Sequence, residues 1–291
     1  MSDWGKGVNN DIGWGQGANN DIGWGSIYDK SNAGETLLSG SGFDPAYQAV
    51  LDFATSEGDT LPNSTIQGFQ NTFLETINPF FSKFTELHLW AGEAGLEGFK
   101  SIDFVRLNKA DYYNSPSLLA NGIKGNGTSS YVDLNFNYLT ESQEDSITMG
   151  YYSIDGTDGS NSGVLGVYQS AGDKGSYIFP KTSNDSIACG GNTNFEVFSN
   201  TGLGLGGDTE LISVSHNGTQ LKLNRNDTSL GIENKTGTRP NLSAFALARN
   251  LNGSADFFTD TTLALTFHAE ELTSSELLIL SNATKTYLNE I

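Results

Sequence analysis

The sequence is poor in cysteine, proline and positive charge; the shortage of cysteine excludes two kinds of site, and the shortage of positive charge argues against one kind of partner. Cys189 is the single cysteine, so neither an intrachain disulfide nor a cysteine-based zinc site can form. Six prolines occur, and 15 lysines and arginines stand against 34 aspartates and glutamates. The formal net charge of −19 repels a phosphate backbone, so we expect no nucleic-acid partner.

Long apolar runs are also missing from the sequence. No run approaches the ~18 apolar residues that a membrane-spanning helix needs. The N-terminus lacks the basic and then apolar pattern of a secretion signal. We therefore expect neither a membrane span nor a secretion signal.

Glycine-rich turns between short apolar runs indicate an all-β fold. The 35 glycines, with many asparagines, supply the positive φ angles of tight turns, and Asn217-Gly218 is typical of a hairpin. The candidate strands are Ser101–Leu107, Tyr131–Phe136, Ser146–Tyr152, Gly163–Tyr168, Ser176–Phe179, Ile187–Cys189, Phe195–Phe198, Glu210–Val214, Gln220–Asn224, Ser243–Ala248 and Thr262–Ala269. So many short strands without interleaved helices predict a β-sandwich or jelly roll.

Helical periodicity precedes this strand-rich region. Asp44, followed by proline, starts one predicted helix, since aspartate caps and proline suits the first helical position. A second helix begins after Asn63 and ends or kinks at Pro79. The alternating residues 84–90 then predict a half-buried strand. We interpret residues 38–94 as a helical adaptor segment.

A Trp-Gly decapeptide repeat opens the chain. WGKGVNNDIG (residues 4–13) and WGQGANNDIG (residues 14–23) are identical at eight of ten positions, and a third copy begins and stops. A segment so rich in glycine cannot fold alone, but periodic tryptophans are typical binding anchors. We predict that it becomes ordered on a partner or on its own oligomer; a flexible tail is the alternative. The predicted docking residues are Trp4, Trp14, Trp24, Ile12 and Ile22.

This repeat, continued by Ser-Ile-Tyr-Asp and Gly-Glu-Thr, resembles the start of many bacteriophage tail and virion-associated proteins. In those proteins the motif precedes differing C-terminal domains, which implies a shared attachment module. The resemblance implies that residues 1–37 anchor this protein in a virion through other virion proteins. A homo-oligomer is also expected, although no heptad run predicts a coiled coil.

Strings in the second part of the chain resemble the concanavalin A-like, laminin G-type domains of phage tail proteins. Their order along the chain implies a concanavalin A-like β-sandwich over residues 95–291. A capping box that begins at Thr273 predicts its C-terminal helix. The strings are GIKGNGTSSYV (residues 122–132), SITMGYYSID (residues 146–155), NLNGS (residues 250–254) and FFTDTTLALTFHAEELTSSELLIL (residues 257–280).

No sequence pattern points to catalysis. The family that the chain resembles includes glycoside hydrolases, whose retaining members commonly place two carboxylates on one strand ~5 Å apart. No Glu-x-Asp-x-Glu string occurs here. His88, His216 and His268 are isolated, and we interpret each as structural. We expect a protein that is not an enzyme; a polysaccharide-degrading enzyme is an alternative.

One loop carries the donors of a calcium site. Asp155, Asp158 and Asn161 put oxygen-bearing side chains three residues apart, and calcium prefers oxygen ligands. A plain Asx-rich turn is the alternative, and no cofactor is required. A sugar site usually needs an exposed aromatic ring beside polar groups; the available tyrosines are Tyr112, Tyr113, Tyr151, Tyr152 and Tyr168.

Together these patterns predict a virion structural protein of the tail-fibre, spike or head-fibre type. Its repeat attaches it to the particle, and its lectin-like domain contacts a host-surface glycan or receptor. The alternative within the same class is a purely architectural virion component that has no ligand.

Overall fold

The computed structural model describes residues 42–143, 146–155, 162–172, 174–180, 187–193, 196–198 and 209–291. The chain divides into two units, Met1–Phe43 and Asp44–Ile291, and the second contains the elements described below. The division into segments 1–37, 38–94 and 95–291 stays a prediction. Seven predicted site residues lie outside the described residues, and their roles stay predictions as well: Trp4, Ile12, Trp14, Ile22, Trp24, Asp158 and Asn161.

The helices in the described part of the chain are α1 (Pro45–Ser56), α2 (Ser64–Phe81), α3 (Glu97–Lys100), α4 (Tyr138–Glu141) and α5 (Ser274–Glu290). The side chains of Asp44 and Asn63 accept hydrogen bonds from the first turns of α1 and α2, as the sequence predicts. α5 begins at the predicted capping box of Thr273 and Glu276. α2 does not end at Pro79 but runs through it to Phe81.

Seventeen strands of the described residues form two sheets. They are β1 (Phe84–Leu89), β2 (Asp111–Tyr113), β3 (Ser117–Leu119), β4 (Gly122–Lys124), β5 (Tyr131–Asn137), β6 (Ile147–Ser153), β7 (Leu165–Gln169), β8 (Lys174–Phe179), β9 (Ile187–Thr193), β10 (Glu196–Phe198), β11 (Glu210–His216), β12 (Gln220–Arg225), β13 (Thr228–Asn234), β14 (Ser243–Ala246), β15 (Arg249–Leu251), β16 (Ser254–Asp256) and β17 (Thr262–Ala269).

The described strands pair into an eight-stranded and a nine-stranded sheet. The first has the order β13-β12-β11-β6-β17-β4-β3, and β1 also pairs with β17. The second has the order β10-β9-β8-β7-β14-β5-β2, and β15 pairs with both β7 and β16. Strand β2 is therefore an edge strand of the second sheet. The predicted fold class, a mainly β sandwich with a helical segment before it and a C-terminal helix, is confirmed.

One predicted strand is wrong. Residues 101–107 form turns with an isolated bridge from Ile102 to Lys109. The Asp103 carboxylate accepts hydrogen bonds from the N–H groups of Leu87 (3.1 Å) and Val105 (2.8 Å). A side chain that binds nearby backbone groups competes with strand pairing, so the apolar pattern of this segment misled the prediction.

The main core lies between the two sheets. Val132, Leu134 and Phe136 of β5 face this core from the nine-stranded sheet, and Met149 and Val214 face it from the eight-stranded sheet. All five side chains are fully buried. Burying such side chains contributes on the order of 2 kcal/mol each, which favours one register of every strand.

Helices cover the outer face of the eight-stranded sheet. Phe80 of α2 packs on Phe84 of β1, which contacts Phe267 of β17 edge to face at 5.8 Å. Phe73 of α2 and Tyr287 of α5 lie 6.1 Å apart. β1 is thus buried on both faces rather than half-buried as predicted. No helix in the described part of the chain is long and apolar enough to span a membrane.

Candidate functional site

Two tyrosines and two aspartates form a square on the outer face of the nine-stranded sheet. Antiparallel pairing of β2 with β5 places Asp111 opposite Asp133 and Tyr113 opposite Tyr131. Side chains two residues apart on a strand point to the same face, so all four lie together. We call Asp111, Tyr113, Tyr131 and Asp133 the edge square.

The rings of the edge square form an ordered stack. Tyr113 and Tyr131 are parallel, with 4.6 Å between their centroids and 3° between their planes. Tyr131 also packs on Phe245, at 4.7 Å, and lies 6.3 Å from Phe258. Phe245 is buried, Tyr131 is half-buried, and Tyr113 is 41% exposed at the sheet edge. The outermost ring is therefore both accessible and held in place by the rings behind it.

The carboxylates of the edge square are held in place without being neutralised. Asp133 accepts hydrogen bonds from the Ser243 hydroxyl and from the N–H of Asn135, and Asp111 accepts one from the Asn135 side-chain amide (3.0 Å). Among the described residues, no lysine or arginine forms an ion pair with either carboxylate. Burial, and then the nearby Tyr113 and Asp133, raise the pKa of Tyr131. Like charges directly opposite on neighbouring strands are destabilising.

The local backbone fixes the direction of Tyr113. Asn114 and Ser115, which follow it, both have left-handed φ angles, 53° and 52°. The Asn114 side chain donates a hydrogen bond to the carbonyl of Ser129 at 2.9 Å. Consecutive left-handed residues other than glycine are strained and persist only where the surroundings hold them. The turn after β2 is therefore organised before any ligand arrives.

Of the tyrosines available for a sugar site, Tyr113 is the exposed one. Tyr112 is half-buried and meets Trp90 edge to face at 6.4 Å, and Tyr151 and Tyr152 are buried. Tyr168 is half-buried, with the Arg249 guanidinium 5.2 Å from its ring.

Sequence reasoning missed Tyr131 and both aspartates of the edge square. The usable signal was a mirrored pair of triplets, Asp-Tyr-Tyr at 111–113 and Tyr-Val-Asp at 131–133. Antiparallel pairing superimposes these triplets, and it sets like residues opposite each other.

A second cluster of carboxyl, imidazole and phenol groups lies inside the sandwich. Glu86 Oε2 is 2.5 Å from His268 Nδ1, and His268 Nε2 is 2.6 Å from the Tyr138 hydroxyl. Glu86 Oε1 is 3.2 Å from Nε2 of His88, whose ring stacks on Trp90. We call Glu86, His88, Tyr138 and His268 the buried cluster. None of the four has exposed surface.

Burial keeps the buried cluster uncharged. It raises the pKa of Glu86 to about 8 and lowers the pKa of His268 to about 3 and that of His88 as well. A protonated Glu86 donates to Nδ1 of His268, whose Nε2–H then donates to the Tyr138 hydroxyl. The Tyr138 oxygen also lies 3.2 Å from the sulfur of Met149. Glu86, His268 and Tyr138 thus bond to one another, whereas Glu86 Oε1 and both ring nitrogens of His88 have no hydrogen-bond partner among the described residues. The burial of His268 agrees with its structural interpretation.

A carboxyl–imidazole–hydroxyl line has the order used for proton transfer in catalysis. Glu86, His268 and Tyr138 have no exposed surface, so a substrate from solvent does not contact them in this structure. The buried cluster is therefore closed to solvent, and the edge square is the accessible candidate site.

Asp155 is the one predicted calcium ligand that the structure describes. Its carboxylate accepts hydrogen bonds from the Lys124 ammonium (3.0 Å) and from the N–H and hydroxyl of Thr262. Burial alone would raise the pKa of Asp155, but these hydrogen bonds lower it. A calcium ion at Asp155 would compete with Lys124 for the carboxylate. Within the described residues no group of three or more His, Cys, Asp or Glu could hold a metal ion, and the calcium site stays a prediction.

A groove of about 290 Å³ between α2 and α5 is a further concave feature. Phe69, Phe73, Ile279 and Tyr287 contribute to its lining. It combines apolar surface with threonine and asparagine side chains and one carboxylate, that of Glu290. Unlike the edge square, it does not present an aromatic stack beside paired charges.

Comparison with known proteins supports the fold of this chain and does not identify its function. No family model and no curated protein sequence matches the chain. Among solved structures, it is similar to a mutant of Trypanosoma rangeli sialidase with trans-sialidase activity, with a TM-score of 0.51 and 14% identity over 76% of this chain and 38% of that one. This chain therefore spans well under half the length of that sialidase.

Two further structures are similar at lower scores. One is domain 4 of an extracellular arabinanase from Geobacillus stearothermophilus in complex with arabinotriose, with a TM-score of 0.49 and 14% identity over 68% of this chain and 98% of that one. The other is the ligand-binding domain of botulinum neurotoxin serotype D in complex with N-acetylneuraminic acid, with a TM-score of 0.48 and 11% identity over 70% and 52% of the two chains.

Proposed function

We propose that this protein is a non-enzymatic bacteriophage virion component whose sandwich binds a host-surface glycan at the edge square. The observation that carries the glycan-binding proposal is an exposed, pre-stacked Tyr113 ring directly beside two carboxylates on the same sheet face. The virion location is supported by the N-terminal resemblance.

The chemistry of the edge square suits a sugar ring. A pyranose has one face of C–H groups, which packs on an aromatic ring, and hydroxyls at its rim, which donate hydrogen bonds to carboxylates. Ligand sites commonly combine apolar or aromatic surface with a few placed polar groups. The rings behind Tyr113 and the Asn135 contacts fix these groups in advance, which lowers the entropy cost of binding.

A glycan array probed with the full chain tests the binding proposal. We expect binding to at least one host-surface glycan, and we expect Tyr113→Ala to weaken it at least tenfold, a loss of about 1.4 kcal/mol. Ile232→Ala is the matched control, because Ile232 is 54% exposed on β13 at the edge of the other sheet. An array without signal, or equal weakening by both variants, contradicts the proposal.

Two further arms extend the glycan experiment. Repeating the binding with calcium and with a chelator tests the proposed calcium site, since a calcium-dependent site loses affinity in the chelator. Incubation with host capsule tests the enzyme alternative, because a depolymerase releases oligosaccharides. Released oligosaccharides would replace the non-enzymatic proposal.

Virion attachment through residues 1–37 is tested by truncation. We expect removal of residues 1–25, which carry all three repeat tryptophans, to abolish incorporation into particles. Electron microscopy of intact particles locates the full-length protein. Unchanged incorporation of the truncated chain would remove the anchor proposal, and incorporation without any glycan binding would favour the purely architectural alternative.

A further inference from the structure

We infer that the edge square selects sugars by charge: it binds sugars with free amino groups best, uncharged sugars less well, and acidic sugars not at all. This inference rests on the proposed glycan binding and adds the ligand class. It is carried by the aromatic stack of Tyr113 on Tyr131 together with the uncompensated charge of the facing aspartates.

The two carboxylates have capacity left for a ligand. Asp111 uses Oδ2 to accept from Asn135, and Asp133 uses Oδ1 to accept from Ser243 and Asn135. The second oxygen of each accepts no hydrogen bond from a described residue. Both groups sit on the sheet surface, where a ligand ammonium or hydroxyl can reach them.

The cations on nearby segments are already engaged. Lys109, two residues before Asp111, binds Asp59 at 2.9 Å. Arg106 binds Asp103 at 2.5 Å and Glu141 at 2.6 Å. A sugar carboxylate at the edge square would meet two like charges, within a chain whose formal net charge is −19. Such a carboxylate is repelled, whereas a protonated amine gains charge-assisted hydrogen bonds.

The aromatic stack favours the same ligand class. A protonated amine near the face of Tyr113 gains a cation–π interaction in addition to the contact of the sugar ring. The opposed aspartates weaken the sheet where they lie, and an ammonium between them relieves that repulsion. Stability lost locally in the free protein is recovered when a cationic sugar binds.

Three trisaccharides of similar size test the inference on the full chain. The probes are the glucosamine trimer with free amines, the N-acetylglucosamine trimer, which is uncharged, and sialyllactose, which is acidic. Calorimetry at pH 6 should give the glucosamine trimer three- to tenfold tighter binding than the neutral trimer, and no binding of sialyllactose. Raising the salt concentration should weaken the glucosamine trimer alone.

The variant Asp111→Asn/Asp133→Asn should remove the preference, so that the ratio of amino to neutral affinity falls to about one. Glu233→Gln is the control, because Glu233 is an exposed carboxylate on β13 that lies opposite Leu221 rather than another acid. Unfolding curves confirm that both variants fold.

Equal affinity for the three probes, a preference for sialyllactose, or a ratio unaffected by the double variant overturns the charge selection. Absence of binding by all three probes also overturns it. The proposed function is judged separately by the array: array binding that Tyr113→Ala abolishes keeps it standing when the charge ranking fails.

Discussion

The buried cluster and the edge square contain similar functional groups but differ in their charge and in their exposure to solvent. Each sets carboxyl chemistry beside aromatic rings, one carboxyl group in the buried cluster and two in the edge square, and each includes residues of two paired strands. In the buried cluster, Glu86 bonds His268 and the groups stay uncharged. In the edge square, Asp111 and Asp133 face each other at the surface without a described counter-charge. The difference teaches that the state of the charge, rather than the residue types, separates a buried network from the proposed recognition surface.

Removing the centre of the buried cluster should have the largest effect on stability. Glu86→Ala leaves His268 and His88 without their carboxyl partner and opens a cavity. We expect a loss of about 3 kcal/mol or more in the free energy of unfolding, measured by urea denaturation. Glu86→Gln is the matched control, because a neutral amide can still donate to His268 Nδ1. Equal losses in the two variants would contradict an uncharged Glu86.

The stability of the protein should reach its maximum near pH 6.5. Above that pH the unfolded chain has released the Glu86 proton that the folded state retains up to about pH 8. Stability therefore falls as the pH rises from 6.5 to 8, by about 1–2 kcal/mol. Below pH 6.5 the unfolded chain protonates His88 and His268, whose pKa is lowered in the folded state, so stability also falls with pH.

Thermal or urea unfolding at a series of pH values measures this profile. In Glu86→Gln the decline above pH 6.5 should disappear while the acid limb remains, because the histidines are retained. A wild-type profile that is flat between pH 6.5 and 8 would show that Glu86 is already ionised in the folded protein.

Neutralising a carboxylate of the edge square should stabilise the protein, whereas removing Glu86 from the buried cluster should destabilise it. Asp111→Asn removes a like-charge contact, so we expect the free energy of unfolding to rise by about 0.2–1 kcal/mol while affinity for the glucosamine trimer falls. Glu233→Gln should change neither quantity measurably. Destabilisation by Asp111→Asn would mean that the carboxylate serves the sheet and not a ligand.

The sequence predicted the elements of the fold better than their pairing. Helix starts at Asp44, Asn63 and Thr273 follow from local capping, and the Asn217-Gly218 hairpin follows from turn chemistry. These signals act within a few residues and can be read locally. Pro79 was an ambiguous signal for the end of α2, because proline can kink a helix without ending it.

The candidate site depends on the pairing register of strands that are distant in the sequence. It therefore could not be predicted from the sequence. β2 has three residues and no strand-length apolar alternation, so nothing in Asp111–Tyr113 predicts a strand. Tyr131 lies eighteen positions after Tyr113, the ring on which it stacks, and its strand also pairs with the distant β14. Likewise, Glu86 and His268 are brought together only because β1 pairs with β17. Such contacts between distant segments are decided by packing.

Residue-resolved NMR during titration with the glucosamine trimer tests the central claim most directly. The largest chemical-shift changes should fall on the edge square, with smaller changes at Asn135 and none at His268 or Glu86. Changes centred instead on the groove between α2 and α5, at Phe69 and Ile279, would contradict it, because the ligand would then bind away from the edge square.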